Sequence, residues 1–384
     1  MTLQLSVIKV YVQGMGTRGQ TPVRADQHRS KRRRTQFGPA RKFKQRLYGA
    51  LDLGTNNCRL LIARPVGYGF KVTSSFSRVV RLGEGLSISG RLSDDAMDRT
   101  IAALSICAAK LKDMDVVNSR NIATEACRRA DNCDAFIDRI SRETGLDFET
   151  ISYEEEARLA LLGCQSLLTE GLPYALVFDI GGGSTELTWA RRNDVNGFEI
   201  LDILSLQFGV VTLAEGCGNT DIDCGAYAKM VAEIHSHLPA FCKRNAIHKQ
   251  VDGGQVQMLG TSGTVTTLGA VHLKLPRYSR ALIDGLEIDF QALDRATEML
   301  SSLDYEHRAE VPCIGTERAE LVIPGCAILE AIRKSWPVGK LSVADRGLRE
   351  GMLMELMAAD GEPIVGNPAE RTDANAGLSP NQAH

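Results

Sequence analysis

The chain has 384 residues, of which 43% are hydrophobic and 24% are charged, and its formal net charge is −2. This length exceeds one ordinary hydrophobic core and predicts two globular domains. No apolar run is close to the length of about 20 residues that a transmembrane helix needs. Residues 1–13 lack the parts of a secretory signal, and the ten cysteines form no C-x-x-C pair. These features argue against membrane, disulfide-rich and zinc-binding classes and predict a cytoplasmic protein with reduced thiols.

The first 46 residues differ in charge from the rest of the chain. They carry 12 basic residues and one acidic residue, so their formal charge is +11 and that of the remaining chain is −13. Such a segment cannot bury enough apolar surface to fold alone, which predicts a disordered tail over 1–46. Three alternatives stay open: a solvated tail, a translation start at Met15 or later, and an arm that captures a polyanion such as polyphosphate or RNA.

The first predicted element is a β-hairpin over 48–63. A short apolar strand runs into an Asp-x-Gly turn at Asp52 and Gly54, and a second strand follows. Strand-like runs continue over 70–82, and Ser93 suits the N-cap of a helix that ends near residue 114. The hairpin therefore places a carboxylate and small polar residues at the end of a strand.

The segment after the next strand carries a basic side chain. A strand ends at Thr124, and Arg128 follows at the edge of the predicted sheet. A guanidinium offers a bidentate fork to phosphate, so Arg128 is a candidate phosphate clamp. The alternative is a surface salt bridge of little energetic weight.

A run of three acidic residues begins the helix predicted after residue 151. Ser152 and Glu155 stand at capping-box spacing, which gives Glu155 a structural role. Glu154 suits the positive end of the helix dipole. Residue type alone assigns Glu156 the same dipole role.

A second Asp-x-Gly hairpin contains three consecutive glycines. The apolar run Tyr174 to Phe178 leads into Asp179, and Glu186 closes the turn seven residues later. Glycines let successive backbone N–H groups converge on an anion, and phosphate is the expected ligand. Asp179 and Glu186 offer hard oxygen ligands of the kind that Mg²⁺ prefers beside phosphate. A glycine-rich turn without a ligand is the alternative.

A third loop follows the strand that begins at Val256. Gly260 to Thr264 is rich in Gly, Thr and Ser and precedes a helix, an arrangement that directs N–H groups and hydroxyls at an anion. The two Asp-x-Gly hairpins lie 127 residues apart. This repetition predicts two similar half-domains that face each other across a cleft.

The remaining pattern predicts mainly helices. Helices are expected over 225–242 and 289–303, and a long helix over 317–335 is expected to break at Pro324 and Gly325. A strand over 340–343 and a closing helix over 347–358 follow. The tail over 359–384 is rich in Gly, Pro, Asn and Ala, which predicts disorder.

Several linked motifs together resemble the exopolyphosphatase and guanosine pentaphosphate phosphohydrolase (Ppx/GppA) family, within the superfamily of acetate and sugar kinases, chaperone ATPases and actin. The motifs lie at Asp52 to Asn57, Ala123 to Arg128, Glu154 to Arg158, Asp179 to Glu186, Leu259 to Thr264, Pro324-Gly325 and Asp345 to Gly351. The resemblance covers roughly residues 47 to 358 and is specific because the motifs are several and linked.

The resemblance implies an α/β fold class with two ribonuclease H-like (actin-like ATPase) domains that face each other across a cleft. The first domain would cover 47–172 with a C-terminal helix at 336–358, and the second would cover 173–335. Longer family members add a helical metal-dependent domain for which this chain leaves no room. Family members often pair, so a homodimer is expected.

The resemblance also assigns roles to individual residues. It implies that Glu156 is the catalytic base, with Asp52 and Arg128 as further catalytic groups and Mg²⁺ held by Asp179 and Glu186. The phosphate-binding residues would be Gly54, Thr55, Asn56, Asn57, Gly181, Gly182, Gly183, Ser184, Thr185, Gly260, Thr261, Ser262, Gly263 and Thr264.

The expected function is an exopolyphosphatase that removes terminal phosphate from inorganic polyphosphate with Mg²⁺ as cofactor. The first alternative is hydrolysis of guanosine pentaphosphate (pppGpp), and the second is a non-catalytic sensor of polyphosphate or alarmone. An actin-like kinase is a further rival, although no acceptor motif supports it. Nucleic acid is not an expected partner apart from contacts of the basic tail, and no membrane partner is expected.

Overall fold

The computed structural model describes residues 46–169, 171–193, 197–217 and 222–364. The predicted disordered tails lie outside these residues over 1–45 and 365–384. The start of the predicted C-terminal tail is packed, contrary to expectation. The Tyr48 hydroxyl donates to Asp360 at 2.8 Å, and Ile364 is 4% exposed in an apolar cluster with Tyr48. Burial of one large apolar side chain holds this end of the described chain in place.

The first half of the described chain forms a five-stranded sheet in the order β3-β2-β1-β4-β5. Its strands are β1 Tyr48–Leu53, β2 Asn57–Val66, β3 Gly69–Val79, β4 Asn118–Ala123 and β5 Glu149–Thr150. Its helices are α1 Leu86–Ser89, α2 Asp94–Asp113, α3 Glu125–Arg129, α4 Cys133–Thr144 and α5 Tyr153–Cys164. The predicted cap of α2 is present, because Ser93 accepts a hydrogen bond from the backbone N–H of Ala96 at 3.3 Å.

The second half forms a six-stranded sheet in the order β10-β11-β9-β6-β7-β8. Its strands are β6 Tyr174–Ile180, β7 Thr185–Asn193, β8 Gly197–Leu206, β9 Val256–Thr261, β10 Glu287–Asp289 and β11 Lys340–Ala344. The helices are α6 Val210–Gly216, α7 Cys224–Ser236, α8 Pro239–Arg244, α9 Ile247–Asp252, α10 Gly263–His272, α11 Arg280–Ile283, α12 Phe290–Ser301, α13 Tyr305–Glu310, α14 Thr316–Ala319, α15 Val322–Ser335 and α16 Leu348–Ala359.

The two sheets repeat one strand plan. In each, a central strand pairs antiparallel with the following strand and parallel with a later one: β1 with β2 and β4, and β6 with β7 and β9. The turns after β1 and β6 are the two Asp-x-Gly hairpins, so both place an aspartate at the carboxyl end of a central strand. Open α/β sheets bind ligands at this edge.

Three predicted elements differ from the structure. The helix expected over 225–242 divides at Pro239 into α7 and α8. The break expected at Pro324 lies earlier, between α14 and α15. Pro324 falls in the first turn of α15, where its missing N–H has no intrahelical partner to lose. The range 336–358 is not one helix, since β11 joins the second sheet and only α16 contacts β1. The domain boundaries at 172 and 335 stay a prediction.

Helices α5 and α16 cross with their backbones in close contact. A Cβ added at Gly163 would lie 2.0 Å from the carbonyl oxygen of Gly347, and one added at Gly351 would lie 2.1 Å from that of Leu159. Leu159 and residues of α16 share one buried cluster. Glycine is therefore required on both helices, and the crossing holds the acidic start of α5 against the first sheet.

We expect Gly351→Ala to lower the free energy of unfolding by about 1–3 kcal/mol, because overpacking forces the backbones apart. Urea denaturation of the purified protein measures this loss. Gly69→Ala is the control, since a Cβ at Gly69 meets no atom within 4 Å. An unfolding free energy equal to wild type for Gly351→Ala would show that the crossing has room for a methyl group.

No helix within the described ranges is long and apolar enough to cross a membrane. Seven of the ten cysteines are buried, and these seven are thiols. The predicted reduced thiols thus match the structure.

Candidate active site

The two Asp-x-Gly hairpins converge on one another. A Cβ at Gly182 would lie 3.1 Å from Cβ of Thr55 and 3.3 Å from the backbone nitrogen of Asn56. At Gly183 it would lie 2.7 Å from Oγ1 of Thr55. The glycines of the second hairpin therefore touch the first, which explains why these positions lack side chains.

Both hairpins line one cavity of about 790 Å³. Its walls include most of the residues predicted for catalysis and phosphate binding: Asp52, Gly54, Thr55, Asn56, Asn57, Glu156, Asp179, Gly181, Gly182, Gly183, Ser184, Thr261, Ser262, Gly263 and Thr264. Residues separated by more than 200 positions in sequence thus share one site. The cavity is large enough for a small polyanion with its hydration.

Four predicted site residues do not line this cavity: Arg128, Thr185, Glu186 and Gly260. The Thr185 hydroxyl donates to the carbonyl of Phe208 at 2.7 Å. A Cβ at Gly260 would lie 2.6 Å from the ring of Phe178, so this glycine makes room for an aromatic side chain. Both residues therefore support the loops from behind, and the structure does not favour direct phosphate contact by either.

The third loop carries backbone strain. Ser262 has a φ of 149° and a ψ of 171°, a conformation that almost only glycine adopts. Its side chain caps α10 by accepting from the N–H of Val265 at 3.3 Å. The strained residue and the N-terminus of α10 both face the cavity, which suits an anion-binding turn.

Glu156 lies in the first turn of α5, which Ser152 caps by accepting from the N–H of Glu155 at 3.3 Å. The predicted capping box is only half formed, because the Glu155 carboxylate instead binds Arg120 and Arg158. The Glu156 carboxylate points the other way and accepts from Nη1 of Arg128 at 2.7 Å. Of the three acids in this run, Glu156 lines the cavity.

Arg128 binds protein carboxylates from two elements. Nε and Nη2 donate to Oε2 of Glu125 at 3.1 and 2.9 Å, and Nη1 donates to the carbonyl of Ile151 at 3.1 Å as well as to Glu156. Its side chain is only 16% exposed, so the pair with Glu156 is largely buried, unlike the surface salt bridge considered as the alternative role. Arg128 connects α3 to the start of α5.

Glu186 is buried behind the second hairpin. Its Oε1 accepts from the hydroxyls of Ser184 at 2.7 Å and Ser205 at 3.0 Å. Oε2 accepts no hydrogen bond from the described chain. Glu186 lies directly opposite Asp179 in the β6–β7 register, so both side chains occupy one face.

The carboxylates around the cavity fit a divalent cation. Asp52 and Asp179 accept no hydrogen bond from the described chain, and Oε2 of Glu186 is likewise unpaired. No group of three or more His, Cys, Asp and Glu residues in the described ranges meets the criteria for a metal cluster. Mg²⁺ needs only one or two protein carboxylates and takes its other ligands from water and substrate. Asp179 lines the cavity and Glu186 lies behind it, and the magnesium site at these two residues stays a prediction.

None of the arginines that line the cavity was predicted as a site residue: Arg59, Arg78, Arg280, Arg318, Arg346 and Arg349. Arg59 and Arg349 make no hydrogen bond or ion pair within the described chain. Arg59 lies opposite Asp52 in the β1–β2 register, the position that Glu186 holds opposite Asp179. Unpaired guanidinium groups in a cavity favour an anionic ligand. The sequence signal that could have found Arg59 is a charged residue directly before the apolar run Leu60 to Ala63 of β2.

Burial raises the pKa values of the acids at this site. Burial and then the charge of Glu156 raise the pKa of Asp179 to about 7. Burial and then the charge of Glu186 raise the pKa of Glu156, although Arg128 opposes the rise. Burial likewise raises the pKa values of Asp52 and Glu186. Raised pKa values mean that the ionised carboxylates are unfavourable at this site, and a bound cation would stabilise their ionised form.

We expect the melting temperature of the metal-free protein to fall by roughly 3–6 °C between about pH 5 and about pH 8. In this range the folded protein keeps carboxyl protons that the unfolded chain releases, so rising pH removes stability. Differential scanning calorimetry in a chelating buffer measures the slope. Asp179→Asn is expected to flatten it, because one raised pKa is removed. A melting temperature that rises over this range would contradict the assignment.

Residues 61–360 match the sequence profile of the Ppx/GppA phosphatase family. The chain belongs to the Ppx/GppA phosphatase family. The guanosine-5'-triphosphate,3'-diphosphate pyrophosphatase of Aliivibrio fischeri strain MJ11 is 30% identical over 311 residues, which are 80% of this chain and 58% of that protein. The chain therefore spans less than two thirds of this curated relative.

Solved structures confirm the predicted fold class. A Ppx/GppA member from Aquifex aeolicus has a TM-score of 0.67 and 25% identity, with coverage of 82% of this chain and 98% of that chain. An exopolyphosphatase from Cytophaga hutchinsonii has a TM-score of 0.72 and the same coverage at 24% identity, a likeness of fold alone. The chain thus has the α/β fold of Ppx/GppA proteins, with two mixed sheets of the actin-like ATPase type.

Proposed function

We propose that this Ppx/GppA protein hydrolyses the terminal phosphoanhydride of inorganic polyphosphate. The observation that carries the proposal is that both glycine-lined hairpins, the unpaired Arg59 and Arg349, and the carboxylate of Glu156 line one cavity. The hairpin N–H groups and the guanidinium groups suit a chain of phosphates. The Glu156 carboxylate suits the role of a base that accepts a proton from a water molecule at the terminal phosphate.

In the proposed reaction Glu156 accepts a proton from water as the water oxygen attacks the terminal phosphorus. The bond from this phosphorus to the bridging oxygen breaks, so orthophosphate leaves and the remaining polyphosphate is one unit shorter. A base with a raised pKa is effective near neutral pH. Since the transition state spreads charge over the phosphoryl oxygens, the loops and arginines supply most of the acceleration through electrostatic stabilisation.

Asp179 and Glu186 are the residues proposed to hold Mg²⁺, which when bound neutralises phosphate charge. Asp52 lines the same cavity as Asp179 and is proposed as a further catalytic group. The loops at Gly54 to Asn57, Gly181 to Ser184 and Thr261 to Thr264 are proposed to bind successive phosphates. Arg128 is proposed to orient Glu156 and not to contact phosphate, because four of its five N–H groups donate to Glu125, Glu156 and the carbonyl of Ile151.

Hydrolysis of pppGpp is the second candidate. It is favoured by the name of the curated Aliivibrio fischeri relative, a guanosine-5'-triphosphate,3'-diphosphate pyrophosphatase. The same terminal phosphoanhydride chemistry serves both substrates, so the phosphate loops do not discriminate between them. A sensor without turnover is the remaining alternative.

Phosphate release from long polyphosphate and from pppGpp, measured side by side with and without Mg²⁺, tests the proposal. Faster release from polyphosphate with Mg²⁺ supports it, and faster release from pppGpp supports the second candidate. Binding of either substrate without release of phosphate would leave the sensor interpretation.

A further inference from the structure

Glu125 is a buried acid at the active-site cavity to which the proposed mechanism gives no part. It is 8% exposed and lines the cavity beside the second hairpin. A Cβ at Gly183 would lie 3.0 Å from its Cγ, so the side chain packs directly against this glycine. Burial of a carboxylate needs a compensating partner, and Glu125 has one in Arg128.

The contact between Glu125 and Arg128 fixes the plane of the guanidinium. Two donors of Arg128, Nε and Nη2, converge on Oε2 of Glu125 at 3.1 and 2.9 Å. The residues are three apart on α3, a spacing that places both side chains on one face of the helix. Arg129 approaches the other oxygen of Glu125 only at 4.0 Å. Glu125 is therefore committed mainly to Arg128.

The opposite side of the same guanidinium holds Glu156. Nη1 donates to Oε2 of Glu156 at 2.7 Å and to the carbonyl of Ile151 at 3.1 Å, while Nη2 lies 3.9 Å from Glu186. A long glutamate side chain at the start of a helix loses its single orientation without such a partner. The position of Glu156 thus depends on a guanidinium whose own position depends on Glu125.

We propose that Glu125 is a positioning residue that acts through Arg128 to hold Glu156 at the cavity wall. Glu125 also prevents a bound phosphate from competing with Glu156 for Arg128. A bound phosphate is a strong anionic partner for arginine, and an Arg128 without Glu125 is free to turn toward it and release Glu156. Glu125 therefore keeps Arg128 from becoming the phosphate clamp that its sequence position suggests. This inference rests on the proposed hydrolase function.

Kinetics of Glu125→Ala test the proposal. We expect kcat to fall about 10- to 100-fold, the loss that a base misplaced by about 1 Å causes, with KM unchanged or lower because a freed Arg128 binds phosphate. Glu125→Gln is expected to lose less, since its amide oxygen still accepts from Arg128. Glu143→Ala, which removes the acid of the exposed Arg139–Glu143 pair, is the control and should retain wild-type kcat.

The Glu156→Gln background separates positioning from an independent role. A residue that acts only through Glu156 has nothing left to position there, so Glu125→Ala is expected to change kcat by less than about 2-fold in that background. The same 10- to 100-fold loss in both backgrounds would overturn the proposal.

A crystallographic comparison tests the inference even if the proposed function fails. Absence of phosphate release from wild-type protein with either substrate would refute the hydrolase function alone. In crystals of the Glu125→Ala variant grown with inorganic phosphate we expect the Arg128–Glu156 hydrogen bond of 2.7 Å to be lost, because Arg128 turns toward the phosphate. An Arg128 and a Glu156 that superpose on their wild-type positions would overturn the positioning role.

Discussion

Replacement of Glu156 by Gln is expected to lower kcat for phosphate release by about 10²- to 10⁴-fold, the usual contribution of a positioned general base. The amide keeps the size of the side chain and accepts the hydrogen bond from Arg128, but it cannot take a proton from water. Steady-state phosphate release with the preferred substrate measures the loss. Substrate affinity, measured by calorimetric titration, should change little because the phosphate loops are untouched.

Glu154→Gln is the matched control for this experiment. Glu154 is the exposed acid two positions earlier in the first turn of α5 and does not line the cavity. Its loss should leave kcat at the wild-type level. If both variants keep full activity, the base lies elsewhere. If neither wild type nor variant turns over while both bind polyphosphate, the protein is a sensor.

Asp179→Asn is expected to raise the Mg²⁺ concentration needed for half-maximal activity by at least about 10- to 100-fold, the loss that even outer-shell partners of a metal cause. The physical reason is that the variant removes one of the carboxylate charges that would bind the cation. An activity-independent measurement is the rise in melting temperature on adding Mg²⁺ at about pH 8, which should be smaller in the variant.

Asp223→Asn provides the control for the Mg²⁺ experiment. Asp223 is the N-cap of α7 and accepts from the N–H of Ala226 at 2.7 Å, and Asn caps helices about as well. The control should respond to Mg²⁺ like wild type. An equal Mg²⁺ response in Asp179→Asn and wild type would exclude Asp179 as a ligand.

The hairpins and their aspartates were predictable because their signals are local. A short apolar strand, an Asp-x-Gly turn and a second strand follow one another within 20 residues, and Asp52 and Asp179 stand near the ends of the first strands. The helix α2 was likewise predictable from Ser93 and the spacing of its apolar residues. Local sequence patterns predict where a residue lies within its own helix or strand.

The roles of the arginines were not predictable, since each depends on contacts between distant elements. Arg128 is a neighbour of Glu125 in sequence, but its second partner, Glu156, belongs to α5. Arg349 reaches the cavity only because α16 packs against β1. Arg59 faces the cavity because of the strand register that also places it opposite Asp52. The spacing of residues within one helix or strand does not predict these contacts with other elements.

The two hairpins are copies of one plan, yet they differ in electrical sign at one paired position. The first sets Arg59 opposite its aspartate, and the second sets Glu186 opposite its own. The two hairpins thus share a backbone plan but carry opposite charges at this paired position. Of these two partners only Arg59 is among the residues that line the cavity, whereas Glu186 lies behind the second hairpin. Under the proposed function, the paired position that a phosphate chain meets is therefore the basic one. A ring such as trimetaphosphate has no terminal phosphate to present to the water at Glu156, and we expect it to resist hydrolysis.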